Sequence, residues 1–223
     1  GGSAAAARAI SSALPAMPGD SNCAPEPARR PAGQAPRLGD PGPQDAAPDA
    51  LRASSAPKER HSPLSNAASR GDSDEVRRLL DSGALVGERD RSGPSPLQRA
   101  ARHGHLVVVK LLLGAGAWAD EADARGYTAL SSACRAGHVQ IAQLLIAKGA
   151  AVNKALCDGW TPLAMACSQG SLSCVELLCR VGAAVDQATD GGVTPLRIAC
   201  ERGHADVAQR LLAANAEVDQ TLL

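Results

Sequence analysis

Cysteine and histidine recur along the chain at a fixed spacing, and the spacing decides what chemistry they can do. Cys134, Cys167 and Cys200 are 33 residues apart, and His105, His138 and His204 share the same 33-residue register. Both residue types ligate zinc, and paired cysteines form disulfides. A zinc ion needs its ligands about 2.0–2.3 Å from one point, and a disulfide needs Cα atoms within about 7 Å. Residues in one register instead occupy equivalent places on successive stacked units, and stacked helices lie ~8–10 Å apart. The histidine column therefore cannot close on a metal, and neighbours in the cysteine column cannot pair. His103, two residues before His105, adds no ligand. The cysteines read as small buried hydrophobes, with Cys174 and Cys179 in apolar columns and Cys157 in a turn as the expected exposed thiol. Seven cysteines, an odd number without a framework pattern, read as reduced intracellular thiols.

Other reactive arrangements fare no better. Gly191-Gly192 is a turn rather than a phosphate loop, and neither a G-x-S-x-G elbow nor an H-E-x-x-H pair occurs. Asp120, Asp186 and Asp219, with Asn153 between them, fall at equivalent turn positions. There they are expected to brace turns through side-chain to backbone bonds. No catalytic residue, cofactor site or metal site is expected. Twenty-three basic and 23 acidic residues give zero net charge, which speaks against a nucleic-acid binder. No apolar run is long enough to span a membrane.

What positions these residues is a repeat. Gly71, Gly104, Gly137, Gly170 and Gly203 are 33 apart, as are Leu64, Leu97, Leu130, Leu163 and Leu196. The same step links the columns beginning at Ala67, Leu79 and Ala84, with no insertion in any copy. Five invariant columns in five copies define an array of about 57–89, 90–122, 123–155, 156–188 and 189–221.

Each column has a physical reason. Ser62-Pro63, Ser95-Pro96, Thr161-Pro162 and Thr194-Pro195 are helix starts, a capping hydroxyl followed by a residue pre-shaped for the first turn. Thr128-Ala129 keeps the cap without the proline. In the fourth unit a short helix is expected from Leu163 to about Gln169, burying Leu163, Ala166 and Cys167 and ending at Gly170. A second is expected from about Leu172 to Arg180, with Val175, Leu177 and Leu178 inward and Gly182 at its end. Asn215 replaces that glycine in the last unit, where a left-handed backbone is wanted. A turn arm follows. No unit buries its own apolar face, so the units must stack. A core of Leu, Ala, Val and small Cys needs few large rings, and the chain has only Trp118, Tyr127 and Trp160.

The run TPLAMACSQGSLSCVELLCRVGAAVD, beginning at Thr161, resembles an ankyrin repeat. The resemblance covers about residues 57–223. It implies an all-α fold, an ankyrin-repeat α-solenoid of helix-turn-helix units joined by β-turn arms. One departure matters: the family's histidine after Thr-Pro-Leu is Ser65, Gln98, Ser131, Ala164 and Arg197 here. That is expected to remove a polar cross-link between turns. Arg78 and Arg210 stand where inner units have Leu111, Leu144 and Leu177, so the end units read as polar caps and the array as complete. Asn153 sits in a context similar to ankyrin asparagines that asparaginyl hydroxylases modify, beside its plainer turn-bracing role.

The resemblance also implies a function. Ankyrin arrays bind proteins through turn-arm tips and the exposed side of the first helix. The tip position after the turn glycine holds Pro94, Tyr127, Trp160 and Val193. Tyr127 and Trp160 are expected to be exposed anchors on the concave face, since these residue types dominate binding hot spots. Arg91, Arg102, Arg125 and Arg135, with Arg70 and His103, make the N-terminal part of that face basic. Asp158, Asp190 and Glu201 make the C-terminal part acidic, although Arg202 interrupts it. The expected partner is a protein with an acidic segment, bound by a monomer in the cytoplasm or nucleus. The array could instead be the substrate-recruiting arm of a ubiquitin ligase, but the ligase-binding box this requires is not visible.

Residues 1–56 hold nine of the fifteen prolines and no helical or strand periodicity, and read as a disordered tail. Residues 1–19 faintly resemble an organelle transit peptide, although an Ala/Ser-rich leader is the plainer reading. The first residue is glycine, so the chain reads as processed or as a fragment.

Overall fold

A computed structural model describes residues 62–88 and 93–217. The expected tail, Arg91 and Asp219 lie outside them. Among the described residues the elements are all helices: α1 (Pro63–Arg70), α2 (Ser73–Asp81), α3 (Pro96–His103), α4 (Leu106–Gly114), α5 (Ala129–Ala136), α6 (Val139–Ala147), α7 (Pro162–Ser168), α8 (Leu172–Arg180), α9 (Pro195–Glu201) and α10 (Ala205–Ala213).

The odd-numbered helices begin as the sequence dictates. Ser62, Ser95, Thr128, Thr161 and Thr194 each accept a hydrogen bond from the backbone N–H three residues on, which satisfies an amide the helix leaves orphaned. In α3 and α5 the bond is reciprocated, by Gln98 Oε1 and by Ser131 Oγ. α7 stops at Ser168 and α8 at Arg180, within a residue of expectation. Asn215 adopts φ +63°, a left-handed backbone that the other described non-glycine residues avoid. Asparagine tolerates this conformation best after glycine.

Two rows result. α1, α3, α5, α7 and α9 pack in sequence, and α2, α4, α6, α8 and α10 form a second row behind them. The first row is held close by small residues: Ala67, Ala100, Ala133, Ala166 and Ala199 are all fully buried. Leu64, Leu97, Leu130 and Leu163 run alongside them at 1% exposure or less. The core is one continuous ladder.

The cysteine column divides. Cys134 and Cys167 are fully buried, and burial pushes the Cys167 thiol well up. Cys134 hydrogen-bonds to Cys174, which together with burial raises it too. These are the inert packing thiols expected. Cys200 corrects the reading: it is exposed, because among the described residues α10 joins the second row and no further first-row helix stacks on α9 to cover it. Cys157 is exposed as expected.

The histidine column locks units together. His105 Nε2 lies 3.0 Å from the Ser69 carbonyl oxygen and His138 Nε2 lies 3.2 Å from that of Arg102. Each ring sits over the helix-ending glycine of the unit before. A Cβ at Gly71 would fall 2.5 Å from His105 Nδ1, and one at Gly104 would fall 2.7 Å from His138 Cε1. The glycines therefore serve both a left-handed turn and a close approach. The arms are braced as expected: Asp120, Asn153 and Asp186 each accept, through Oδ1, the N–H of Ala151, Ala184 and Glu217 in the next unit.

The expected loss of a cross-link at the family's histidine position is corrected in one unit. Gln98 Nε2 donates to the carbonyls of Glu121 at 2.7 Å and Tyr127 at 2.5 Å, tying α3 to the following arm. An amide carries two N–H donors, so it can clamp two carbonyls at once.

Candidate protein-binding face

The tips of the arms are tight turns. Asp123 N–H donates to the Tyr127 carbonyl, Leu156 N–H to that of Trp160, and Thr189 N–H to that of Val193. Neighbouring arms also bond to each other, Cys157 N–H to the Arg125 carbonyl and Asp190 N–H to the Asp158 carbonyl. The arms lie so close that a Cβ at Gly126 would sit 2.9 Å from Leu156 Cα.

This closeness corrects the expected exposure of the tip residues. Tyr127 is 6% exposed, Trp160 8% and Val193 9%, and all three belong to the continuous core. Arms that bond edge to edge leave an apolar ring no cheaper place than between them, so the large rings pack the one layer that alanine cannot fill. The exposed ring is Trp118, at 68%, which lies in a different column and carries the Lys154 ammonium 5.6 Å over its face.

What stays accessible is a set of cations around Tyr127. The Arg125 guanidinium lies 5.3 Å from the ring centroid and that of Arg135 5.8 Å, distances at which a cation is attracted to a ring face. Arg135 Nη1 also donates to Tyr127 Oη at 3.0 Å. Burial raises the Tyr127 phenol above its ordinary value, against the opposing pull of Arg135 and Arg125, so it stays neutral near pH 7.

Around this group the C-terminal ends of α3 and α5 and the arm 123–127 enclose a cleft of about 330 Å³. α3 contributes Gln98, Arg99, Arg102 and His103, the arms Pro94, Asp123, Arg125 and Tyr127, and α5 Ser132, Arg135 and Ala136, with Gln169 at the edge. Pro94, Arg102, Arg125, Tyr127 and Arg135 are thus brought together. Trp160 and Val193 lie apart, and Arg91 lies outside the described residues. Arg99 was missed as a candidate, although it stands three residues before Arg102 and four before His103, on one helix face.

The cleft is electropositive. Among the described residues its one carboxylate is Asp123, which already accepts the N–H groups of Arg125 and Tyr127, both at 2.9 Å. His103 is held below the ordinary histidine value, first by partial burial and then by Arg102, His105, Arg99 and His138. Toward the other end of the array the acidic side is weaker than its composition suggests. Glu201 is bound to Arg197 Nε at 2.8 Å, while Asp190 is exposed and Asp158 half-buried. None of the described helices is long and apolar enough to cross a membrane.

A family model described as ankyrin repeats (3 copies) matches residues 64–156 and again residues 150–221. No curated protein matches the chain.

Proposed function

Since the chain belongs to the ankyrin-repeat family, whose arrays generally bind other proteins and are typically non-catalytic, we propose that residues 57–223 act as one interaction module gripping an acidic segment of a partner protein in the cleft between α3 and α5. The observation that carries this reading is the cleft's charge: Arg102, Arg125 and Arg135 converge there, and Asp123, the one acid among the described lining residues, is engaged by backbone amides. In this reading Arg102, Arg125, Arg135 and Pro94 touch the partner. Tyr127 is a positioning residue that holds two guanidiniums in place. Trp160 and Val193 shape the arms, and their buried rings and methyls make no direct contact with the partner. The module acts as a monomer, and in the cytoplasm or nucleus, a compartment suited to a chain whose seven cysteines are odd in number and follow no framework pattern.

The test is capture from cell lysate with the full chain and with an Arg102→Glu/Arg125→Glu/Arg135→Glu variant, after circular dichroism shows that both fold alike. Proteins retained by the parent and lost by the variant support the reading. If both chains retain the same proteins, the cleft is not the binding surface.

A further inference from the structure

The cleft presents more separate cationic donors than one carboxylate can use. Arg102 comes from the last turn of α3, Arg125 from an arm and Arg135 from the last turn of α5. Among the described residues no carboxylate forms an ion pair with any of the three. Part of this placement has a local cause, because cations at helix C-termini are favoured by the helix dipole. That accounts for Arg102 and Arg135. It does not account for Arg125, which lies on no helix and yet approaches the same ring as Arg135.

A carboxylate offers two oxygens and is satisfied by one guanidinium fork. A phosphorylated side chain offers three strong acceptor oxygens and nearly two negative charges. Three donors arriving from three elements suit the second geometry. The 330 Å³ cleft has room for a phosphoryl group together with the side chain that carries it. Arg135 is already fixed by the Tyr127 hydroxyl, so less side-chain freedom remains to be lost on binding.

We propose that this cleft recognises a phosphorylated side chain in the partner segment, with Arg102, Arg125 and Arg135 each donating to the phosphoryl oxygens. This rests on the reading that the cleft receives a partner segment, and it adds that the segment is recognised in its modified state.

The experiment uses three degenerate peptide pools of equal length and identical flanks, centred on phosphoserine, glutamate or serine. The full chain is the bait, and the best-retained sequences are then measured singly by fluorescence anisotropy in all three forms. The expected result is phosphoserine bound at least about tenfold tighter than glutamate, with serine weakest. Arg125→Gln/Arg135→Gln should remove that preference. Should that variant unfold, Arg125→Lys/Arg135→Lys carries the test: it keeps the charge, loses the forks and should lose most of the preference. Equal binding of phosphoserine and glutamate peptides, both above serine, overturns the phosphoryl inference and leaves the acidic-segment reading standing. No preference over serine overturns both. A phosphoserine preference that survives in the arginine variants places recognition elsewhere and also overturns the inference.

Discussion

The second and third units and the fourth and fifth are built on one backbone, and only the first pair gathers cations in the columns around the cleft. The column that reads Arg102 and Arg135 continues as Ser168 and Glu201, and Arg125 is followed one unit later by Asp158. Arg99, half-buried, is followed in its column by Ser132, Met165 and Ile198, buried at 8%, 0% and 2%. Meanwhile Leu130, Leu163 and Leu196, and Ala133, Ala166 and Ala199, stay buried throughout. In a solenoid each unit contacts only its neighbours, so columns facing neighbours are fixed by packing and columns facing solvent are free to change sign. The cleft lies where the free columns agree on positive charge.

If the packing columns really are equivalent, breaking them should cost the same in both regions. Leu130→Ala and Leu163→Ala each remove a fully buried side chain, and each should lower stability by about 3 kcal/mol. Urea unfolding of the two variants checks this, and a markedly smaller loss at one of them would show that the regions pack differently. The next largest effect falls on the columns that differ. Arg125→Asp/Arg135→Glu writes the residues of the later units onto the earlier ones. It should weaken partner binding by about a hundredfold, the range seen when an interfacial charge loses its mate, while the thermal midpoint moves little. Affinity measured by calorimetry against the captured partner decides it. Retained affinity would mean that the difference between the regions carries no recognition.

The stack was legible because every unit must solve the same burial problem with the same residues. Five invariant columns report the period and the turn glycines, the Ser/Thr caps report the helix starts, and the helix expected from about Leu172 to Arg180 is α8. The convergence of Arg102, Arg125 and Arg135 was legible as charge but not as geometry. The aromatic tips misled for a physical reason: a tip residue is remote along its own unit, and its burial depends on how closely the next arm approaches. That approach is set by backbone bonds such as Cys157 N–H to the Arg125 carbonyl, which no side-chain pattern reports. Gln98 was hidden in the same way, since its partners Glu121 and Tyr127 are 23 and 29 residues away. Its column looked like a position where polar linkage had been lost.

Gln98 offers a finer test of the same contrast, because the equivalent position in the fourth unit is Ala164, buried without any side-chain bond. Gln98→Ala makes the two units alike. It strips a donor from the carbonyls of Glu121 and Tyr127 and an acceptor from Ser95 N–H. A loss of about 1–2 kcal/mol is expected, together with faster amide exchange in the arm 123–127. Stability unchanged within error, with unaltered exchange, would show that the arm is held by its contacts with the following arm alone.

The smallest effect concerns His103, whose column holds Gln169 in the fourth unit. The ring stacks against His105 with centroids 6.1 Å apart, and its protonation is disfavoured by partial burial and by Arg102, His105, Arg99 and His138. A histidine whose folded pKa lies below its unfolded value binds fewer protons folded than unfolded. Its contribution to stability is therefore fully present above the unfolded value of 6.5 and is lost as pH falls through the folded value. Stability should decline more steeply below pH 6.5 in the parent than in His103→Gln, which copies the fourth unit and has no proton to take up. Arg102→Gln should raise the His103 pKa in an NMR titration, and an anionic peptide in the cleft should raise it further by replacing repulsion with attraction. An unmoved His103 titration in the presence of saturating peptide would place the bound anion away from α3.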